Sequence, residues 1–141
     1  MPGERRQSRI VALQALCQWE VQRDERAETL CGFFDEFGAA PGAIAYATEL
    51  VNEFWKNADL VDRRIAEAVE RWSFDRISTV ERNVMRVAVV ELDRQAVPPR
   101  VVLDEAIEIA QEFGGKDSSR FVNGVLDRIL ATLPHVKEND G

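Results

Sequence analysis

Apolar residues recur at the spacing of an α-helix through Val101–Leu130, and the pattern predicts two amphipathic helices joined by a short turn. The first predicted stripe consists of Val102, Leu103, Ala106, Ile109, Ala110 and Phe113. The second consists of Val122, Val125, Leu126, Ile129 and Leu133, and Pro134 follows it. Gly114 and Gly115 separate the stripes, and glycine adopts left-handed backbone conformations at a helix end without a Cβ clash. The stretch is therefore predicted to be a compact helical hairpin.

The second predicted helix contains polar residues and a glycine at positions that need a physical reason. Asp117 or Ser118 is expected to accept hydrogen bonds from the free backbone N–H groups of its first turn. Inside a helix, Gly124 costs roughly 1 kcal/mol relative to alanine, and Asn123 is also unfavourable there. We expect Gly124 to admit the close approach of a neighbouring helix and Asn123 to bond a nearby backbone group.

Helical patterns also account for the rest of the chain, and no strand pattern appears in it. Helices are predicted at Glu4–Gln22, around Ala27–Phe37, from the end of the Gly38–Gly42 loop to Lys56, from Asn57 or Asp59 to Trp72, and at Thr79–Arg94. Pro98 and Pro99 separate the last of these from the hairpin. The predicted fold is all-α, a single-domain bundle of about seven helices over residues 1–134, followed by a polar tail at 135–141.

The helix at Thr79–Arg94 is predicted to lie at the centre of the bundle. Ser78 and Glu81 form an S-x-x-E capping box, which marks its start. Its apolar residues leave little more than a narrow polar strip, and they are Val80, Val84, Met85, Val87, Ala88, Val89 and Leu92.

Charge changes the picture more than composition does. The 45% hydrophobic and 30% charged residues suit one globular domain, but the net charge of −7 repels nucleic acid as a whole. An RNA site would therefore need a local cationic patch, and Arg5, Arg6 and Arg9 form one near the chain start, opposed by Glu4. A solvated, arginine-rich helix end is the alternative. The acidic remainder suits a basic protein partner, although acidity that only maintains solubility explains it equally well.

Candidate residues for catalysis or metal binding are few. The single histidine, His135, lies in the polar tail, and no glycine-rich phosphate loop is present. The carboxylates of Glu105, Glu108 and Glu112 share a helix face but lack the Glu-x-x-His pattern of helical metal sites. Cys17 and Cys31 have no zinc-site spacing and are interpreted as reduced thiols. We therefore expect a non-enzymatic protein without cofactor or metal, located in the cytoplasm because no membrane span or signal peptide is seen.

Three segments resemble one known family. FGGKDSSRFVNGVLDRIL with the preceding DEAIEIA, RRQSRIVALQAL and VERNVMRVAVVEL are similar to the NusB family of transcription antitermination and ribosomal RNA processing factors. The resemblance implies an all-helical protein that binds the boxA sequence of ribosomal RNA leader transcripts as single-stranded RNA. It also implies a partner, the small-subunit ribosomal protein NusE, within an antitermination complex that modifies RNA polymerase.

The resemblance also assigns residues. RNA-binding residues are expected at Arg5, Arg6, Arg9, Asp117, Arg120 and Phe121, and Glu81 is expected on the surface that receives the protein partner. Arginine holds phosphates or stacks on bases, and an aromatic ring stacks on an unpaired base. The chain departs from the family pattern at Gln7, which interrupts the arginine run, and at Cys17, where tyrosine is common. Weak RNA binding without the partner is therefore expected.

Two other interpretations belong to different classes. In the first, the chain is an RNA-free helical adaptor or homodimer in which the fold serves only protein binding. In the second, it resembles the RNA-binding domain fused to ribosomal RNA cytosine methyltransferases. The short tail after Leu133 leaves no room for a methyltransferase domain, which disfavours the second.

Overall fold

A computed structural model of the chain describes residues 3–22, 39–69 and 74–133. These ranges contain the helices α1 Glu4–Gln22, α2 Pro41–Lys56, α3 Ala58–Ala68, α4 Thr79–Arg94, α5 Pro99–Gly114 and α6 Lys116–Thr132, with a short 3-10 turn at Phe74–Arg76. No strand occurs in the three described ranges, and the all-α prediction is confirmed. Each of the six helices was predicted. The predicted helix at Ala27–Phe37 and the tail at 135–141 lie outside the described residues.

Helix α4 lies at the centre, as predicted. Every residue from Asn83 to Leu92 is buried, because α1, α2, α3, α5 and α6 all pack against this helix. Its capping box is present: Glu81 donates its backbone N–H to Ser78 Oγ at 3.1 Å, and Ser78 donates its own to Glu81 Oε1 at 3.3 Å. The residues of its narrow polar strip do not face solvent, however. Asn83, Arg86 and Glu91 are buried, since side chains of neighbouring helices supply partners for each of them.

One of these buried polar groups is centred on Arg86, which joins three helices. Its guanidinium donates to both carboxylate oxygens of Asp62 on α3, at 2.8 and 2.9 Å, and to Glu20 on α1 at 3.2 Å. Arg82 donates to the same Glu20 carboxylate at 2.6 Å. Burial raises the pKa of Glu20, but the hydrogen bond from Arg82 and the two arginine charges outweigh it, so the net pKa is lowered. Cys17, beside this group, has a raised pKa because its thiol is largely buried, which suits an unreactive reduced thiol.

The α5–α6 hairpin follows the predicted apolar stripes closely. All five predicted residues of the α6 stripe are buried, as are five of the six on α5. Phe113 is the exception and is 38% exposed at the end of α5. The stripe prediction fails there because the helix ends one residue later, at Gly114, where the described elements cover the ring only in part.

The turn between these helices is a single residue. Gly115 has a φ of 91°, which a side chain would disfavour, and it occupies the N-cap position of α6. The predicted cap by Asp117 or Ser118 is therefore wrong, because both residues already lie within the first turn. Ser118 Oγ instead donates to Glu81 Oε2 at 2.8 Å and ties α6 to the start of α4.

The expectation for the middle of α6 is also wrong. A Cβ atom built at Gly124 would meet nothing within 4 Å, so no described helix approaches there. Asn123 is exposed as well. Both residues lie on the side of α6 that faces away from the buried stripe.

Candidate functional site

Arg9 is the most deeply engaged of the three N-terminal arginines. Its side chain is 6% exposed, and it forms a two-point ion pair with Glu91 on α4. Arg9 Nε donates to Glu91 Oε1 at 2.6 Å, and Nη2 donates to Oε2 at 3.0 Å. A third donor, Nη1, reaches Glu105 Oε1 on α5 at 2.9 Å. Arg9 therefore holds α1, α4 and α5 together, and most of its donors are used inside the protein.

Arg6 lies one turn earlier on α1 and faces α5. Its Nε donates to Glu105 Oε1 at 3.0 Å, while Nη2 donates to the second oxygen of Glu105 and to Glu108. The hydrogen bond from Arg6 lowers the pKa of Glu105, burial opposes this, and the charges of Arg6 and Arg9 add to the lowering. Glu105 is thus a shared acceptor between two arginines, and Glu108 is the outermost carboxylate of the group.

Arg5 is the exposed arginine of the three, and it stacks on an aromatic ring. Its guanidinium carbon lies 3.6 Å from the ring centroid of Tyr46 on α2, a cation–π contact. The Tyr46 hydroxyl donates to Glu91 Oε2 at 2.7 Å. Burial, together with the bond to and the charge of Glu91, raises the pKa of Tyr46 to about 12. Arg94 also lies near this ring, with its guanidinium carbon 5.7 Å from the centroid.

We call Arg6, Arg9, Glu91, Glu105 and Glu108 the arginine–carboxylate cluster. Two guanidinium groups in it face three carboxylates, so the cluster carries one net negative charge. Including the positive charge of the exposed Arg5 brings the net charge of these six side chains to zero. The patch that appears cationic along the sequence is therefore electrically neutral in the fold, because α4 and α5 supply its counter-charges.

Part of this region remains open to solvent. Gly3, Arg5, Arg6 and Glu105 line a surface depression of about 350 Å³. Its lining thus contains two arginines and the Glu105 carboxylate that Arg6 binds. Such a depression has room for a phosphate group, whose oxygens suit guanidinium donors.

The second predicted group lies at the start of α6. Asp117 and Arg120 are exposed, whereas Phe121 is partly buried and packs against the hydrophobic core. Glu81 is partly exposed and is joined to this turn through Ser118. Helix α5 connects the two predicted groups: Glu108 precedes Gly114 by six residues, which is roughly 9 Å along the helix axis. The structure thus brings Glu81 close to the first turn of α6, while Arg6 and Arg9 on α1 contact α5 at Glu105 and Glu108.

Sequence patterns did not single out Tyr46 and Glu91, although both organise the arginines. Tyr46 occupies an ordinary buried position of α2, and Glu91 belongs to the narrow polar strip of α4. The pair of carboxylates at Glu105 and Glu108 was visible as an acidic helix face. Only the packing of α1 on α4 and α5 shows that this face is occupied by arginine.

Comparison with known proteins decides the family. The model of the NusB family matches residues 6–131. The chain belongs to the NusB family. This confirms the family predicted from the three sequence segments.

Individual relatives agree with this assignment along nearly the whole chain. The transcription antitermination protein NusB of Geotalea daltonii is 39% identical over 141 residues, covering 94% of this chain and 97% of the relative. That of Citrifermentans bemidjiense is 41% identical over 138 residues, covering 92% and 95%. Among solved structures, NusB of T. maritima superposes with a TM-score of 0.84 at 37% identity, covering 98% of this chain and 99% of that one.

A further solved structure contains partners. It is described as the antitermination factors NusB and NusE in complex with dsRNA. The matching chain has a TM-score of 0.85 at 26% identity, with 94% of this chain and 100% of that chain covered. In the described part of the present chain, no helix is long and apolar enough to cross a bilayer.

Proposed function

We propose that this chain is a transcription antitermination factor that binds boxA-type single-stranded RNA of ribosomal RNA leader transcripts together with the ribosomal protein NusE. The proposal assigns a binding role without catalysis, in the cytoplasm, within an RNA polymerase antitermination complex. The observation that carries it is the family match over residues 6–131, with relatives named as antitermination proteins that are about 40% identical along the chain. The solved complex of NusB and NusE with dsRNA supports NusE and RNA as the two kinds of partner, and the single-stranded boxA form rests on the family resemblance.

Within this proposal the three arginines have different roles. Arg5 and Arg6 line the open depression, so we assign them to RNA phosphate or base contacts. Arg9 is predicted to act chiefly as a positioning residue, because its donors already bind Glu91 and Glu105. By fixing Glu105, Arg9 also sets where Arg6 lies.

The start of α6 supplies the second RNA contact. Asp117 and Arg120 are exposed there, and Phe121 presents the uncovered part of its ring beside them. An aromatic ring next to an arginine suits the stacking of an unpaired base. Asp117 makes no cap bond in its helix, which leaves its carboxylate free to accept from a base edge.

The NusE-type partner is assigned to the acidic surface that includes Glu81. A basic protein would be attracted by a chain with a net charge of −7. Because Glu81 is bonded to Ser118, a partner bound at Glu81 would lie beside the turn that carries Asp117 and Phe121. This arrangement lets partner and RNA share one continuous surface.

The neutral arginine–carboxylate cluster favours one alternative. If carboxylates fully occupy the arginines, RNA affinity is lost and the chain acts as an RNA-free protein-interaction adaptor or homodimer. Three carboxylates around two arginines are the observation in its favour.

Binding of fluorescent boxA-type RNA, with and without the NusE-type protein, tests the proposal. Wild type is expected to bind boxA RNA more tightly than a scrambled RNA when the partner is present. The Arg5→Ala, Arg6→Ala double variant is expected to lose that binding while its circular dichroism remains that of a folded helical protein, although loss of the contacts to Tyr46 and Glu105 lowers its free energy of unfolding. Binding of the partner with no preference for boxA RNA would instead support the adaptor interpretation.

A further inference from the structure

We infer that Glu108 competes with RNA phosphate for Arg6 and thereby limits the affinity of this chain for RNA. The inference rests on the proposed RNA-binding function. Its basis is the contact between the Arg6 Nη2 donor and the carboxylate of Glu108, because Arg6 also lines the depression assigned to phosphate. A carboxylate and a phosphate present similar anionic oxygens to a guanidinium, so the two are alternative partners for the same donor.

The two carboxylates that hold Arg6 are not equivalent. The Glu105 side chain is 20% exposed and is shared between Arg6 and Arg9, so its displacement would also leave Arg9 with one bond fewer. The Glu108 side chain is 64% exposed, and within the described residues it pairs with Arg6 alone. Replacing Glu108 by a phosphate therefore disturbs the least structure. Glu105 would keep Arg6 in place during the exchange.

Electrostatics gives the direction of the effect. A phosphate in the depression would meet Arg5, Arg6 and the negative charge of Glu105, and Glu108 adds a second negative charge through its contact with Arg6. Neutralising Glu108 removes a repulsive charge and frees a donor of Arg6 in one step. Because exposed ion pairs are weak, the expected gain in RNA affinity is modest, roughly two- to fivefold.

Helix α5 offers a matched control at Glu112. This residue is exposed on the same helix, one turn beyond Glu108, and forms no ion pair in the described part of the chain. Glu108→Gln and Glu112→Gln change the net charge by the same amount and leave side-chain size almost unchanged. The difference between their RNA affinities therefore reports the contact with Arg6. The change that they share reports the effect of the net charge of the protein.

The experiment measures the affinity of fluorescent boxA-type RNA for the full chain at low salt. Without NusE-type protein, Glu108→Gln is expected to bind roughly two- to fivefold more tightly than Glu112→Gln. In an Arg6→Ala background the two variants are expected to bind equally, because the contested donor is gone. Equal RNA affinities of Glu108→Gln and Glu112→Gln in the chain that retains Arg6 would overturn the inference.

The outcomes separate this inference from the proposed function. If the wild type binds boxA RNA with the partner but the two substitutions change RNA affinity equally, only the role of Glu108 is contradicted. Wild type and Glu108→Gln that both fail to bind boxA RNA above the scrambled control, with the partner present, contradict the proposed function and the inference alike.

Discussion

The hydroxyl group of Tyr46 on α2 donates a hydrogen bond at 2.7 Å to the carboxylate of Glu91 on α4, and Arg9 on α1 donates to the same carboxylate. Glu91 is 1% exposed, so these partners replace the water that its charge would otherwise require. Arg5 stacks on the other side of this arrangement, against the Tyr46 ring. The positions of Arg5 and Arg9 thus both depend on one buried carboxylate in the central helix.

The first prediction concerns the pKa of Tyr46, the only tyrosine in the chain. Its native pKa of about 12 exceeds the ordinary value of 10.0, so the unfolded chain loses this proton first as pH rises. The stabilisation is therefore complete below pH 10.0 and is lost as the pH approaches about 12. Tyrosinate absorbance should show a midpoint near 10.0 in concentrated urea and no titration at that pH in the native chain. Native titration with a midpoint near the ordinary value would contradict the buried bond to Glu91.

The second prediction concerns Arg9. Arg9→Ala leaves the Glu91 carboxylate buried with Tyr46 as its one remaining partner among the described residues, and breaking a buried pair in this way typically costs about 3–5 kcal/mol. Arg5→Ala removes an exposed cation–π contact, for which about 0.5–1 kcal/mol is expected. Urea unfolding followed by circular dichroism measures both free energies. Equal losses in the two variants would contradict the positioning role assigned to Arg9.

Periodicity predicted the α5–α6 hairpin well because its two helices have one buried side each. Every apolar residue of the α6 stripe lies in the core, and the polar residues between them face outward. Periodicity could not locate the partners of the polar residues in α4, which is surrounded by other helices. There, Arg86 and Glu91 are buried because Asp62 and Arg9 on other helices neutralise them, and such pairings are separated by 24 and 82 residues in the sequence.

The candidate site shows the same limit. The sequence places Arg5, Arg6 and Arg9 on neighbouring turns of one helix, and the structure keeps them there. It could not predict that Glu105 would hold two of them, because the pairing depends on how α1 packs against α5. Local spacing finds residues that share a helix face, whereas the charge of a surface depends on every element packed against it.

The third prediction concerns acid stability. Hydrogen bonding from Arg6 lowers the pKa of Glu105, so the unfolded chain binds this proton first as pH falls. The corresponding stabilisation is fully present above the ordinary pKa of 4.5 and is lost as the pH falls through the lower native pKa. The free energy of unfolding should therefore decrease on acidification below about pH 4.5.

Glu105→Gln isolates the contribution of this carboxylate. The variant is expected to be less stable than wild type at neutral pH, because Arg6 and Arg9 lose a charged acceptor. Its unfolding free energy should also fall less steeply with acid than that of wild type. Parallel pH profiles for the two proteins would show that Glu105 does not titrate differently in the native and unfolded chains.

The fourth prediction compares Gly124, in the middle of α6, with Gly114, at the end of α5. Gly124→Ala places a methyl group in open space in the middle of α6, so it should stabilise the chain by up to about 1 kcal/mol through helix propensity. At Gly114 a Cβ would lie 2.6 Å from Ser118 Oγ and 2.8 Å from Ser118 Cβ, which forces the serine away from Glu81. Gly114→Ala should therefore destabilise, by roughly 1–3 kcal/mol. Thermal and urea unfolding of both variants measure the contrast, and a destabilising Gly124→Ala would show that a segment outside the described residues packs against α6.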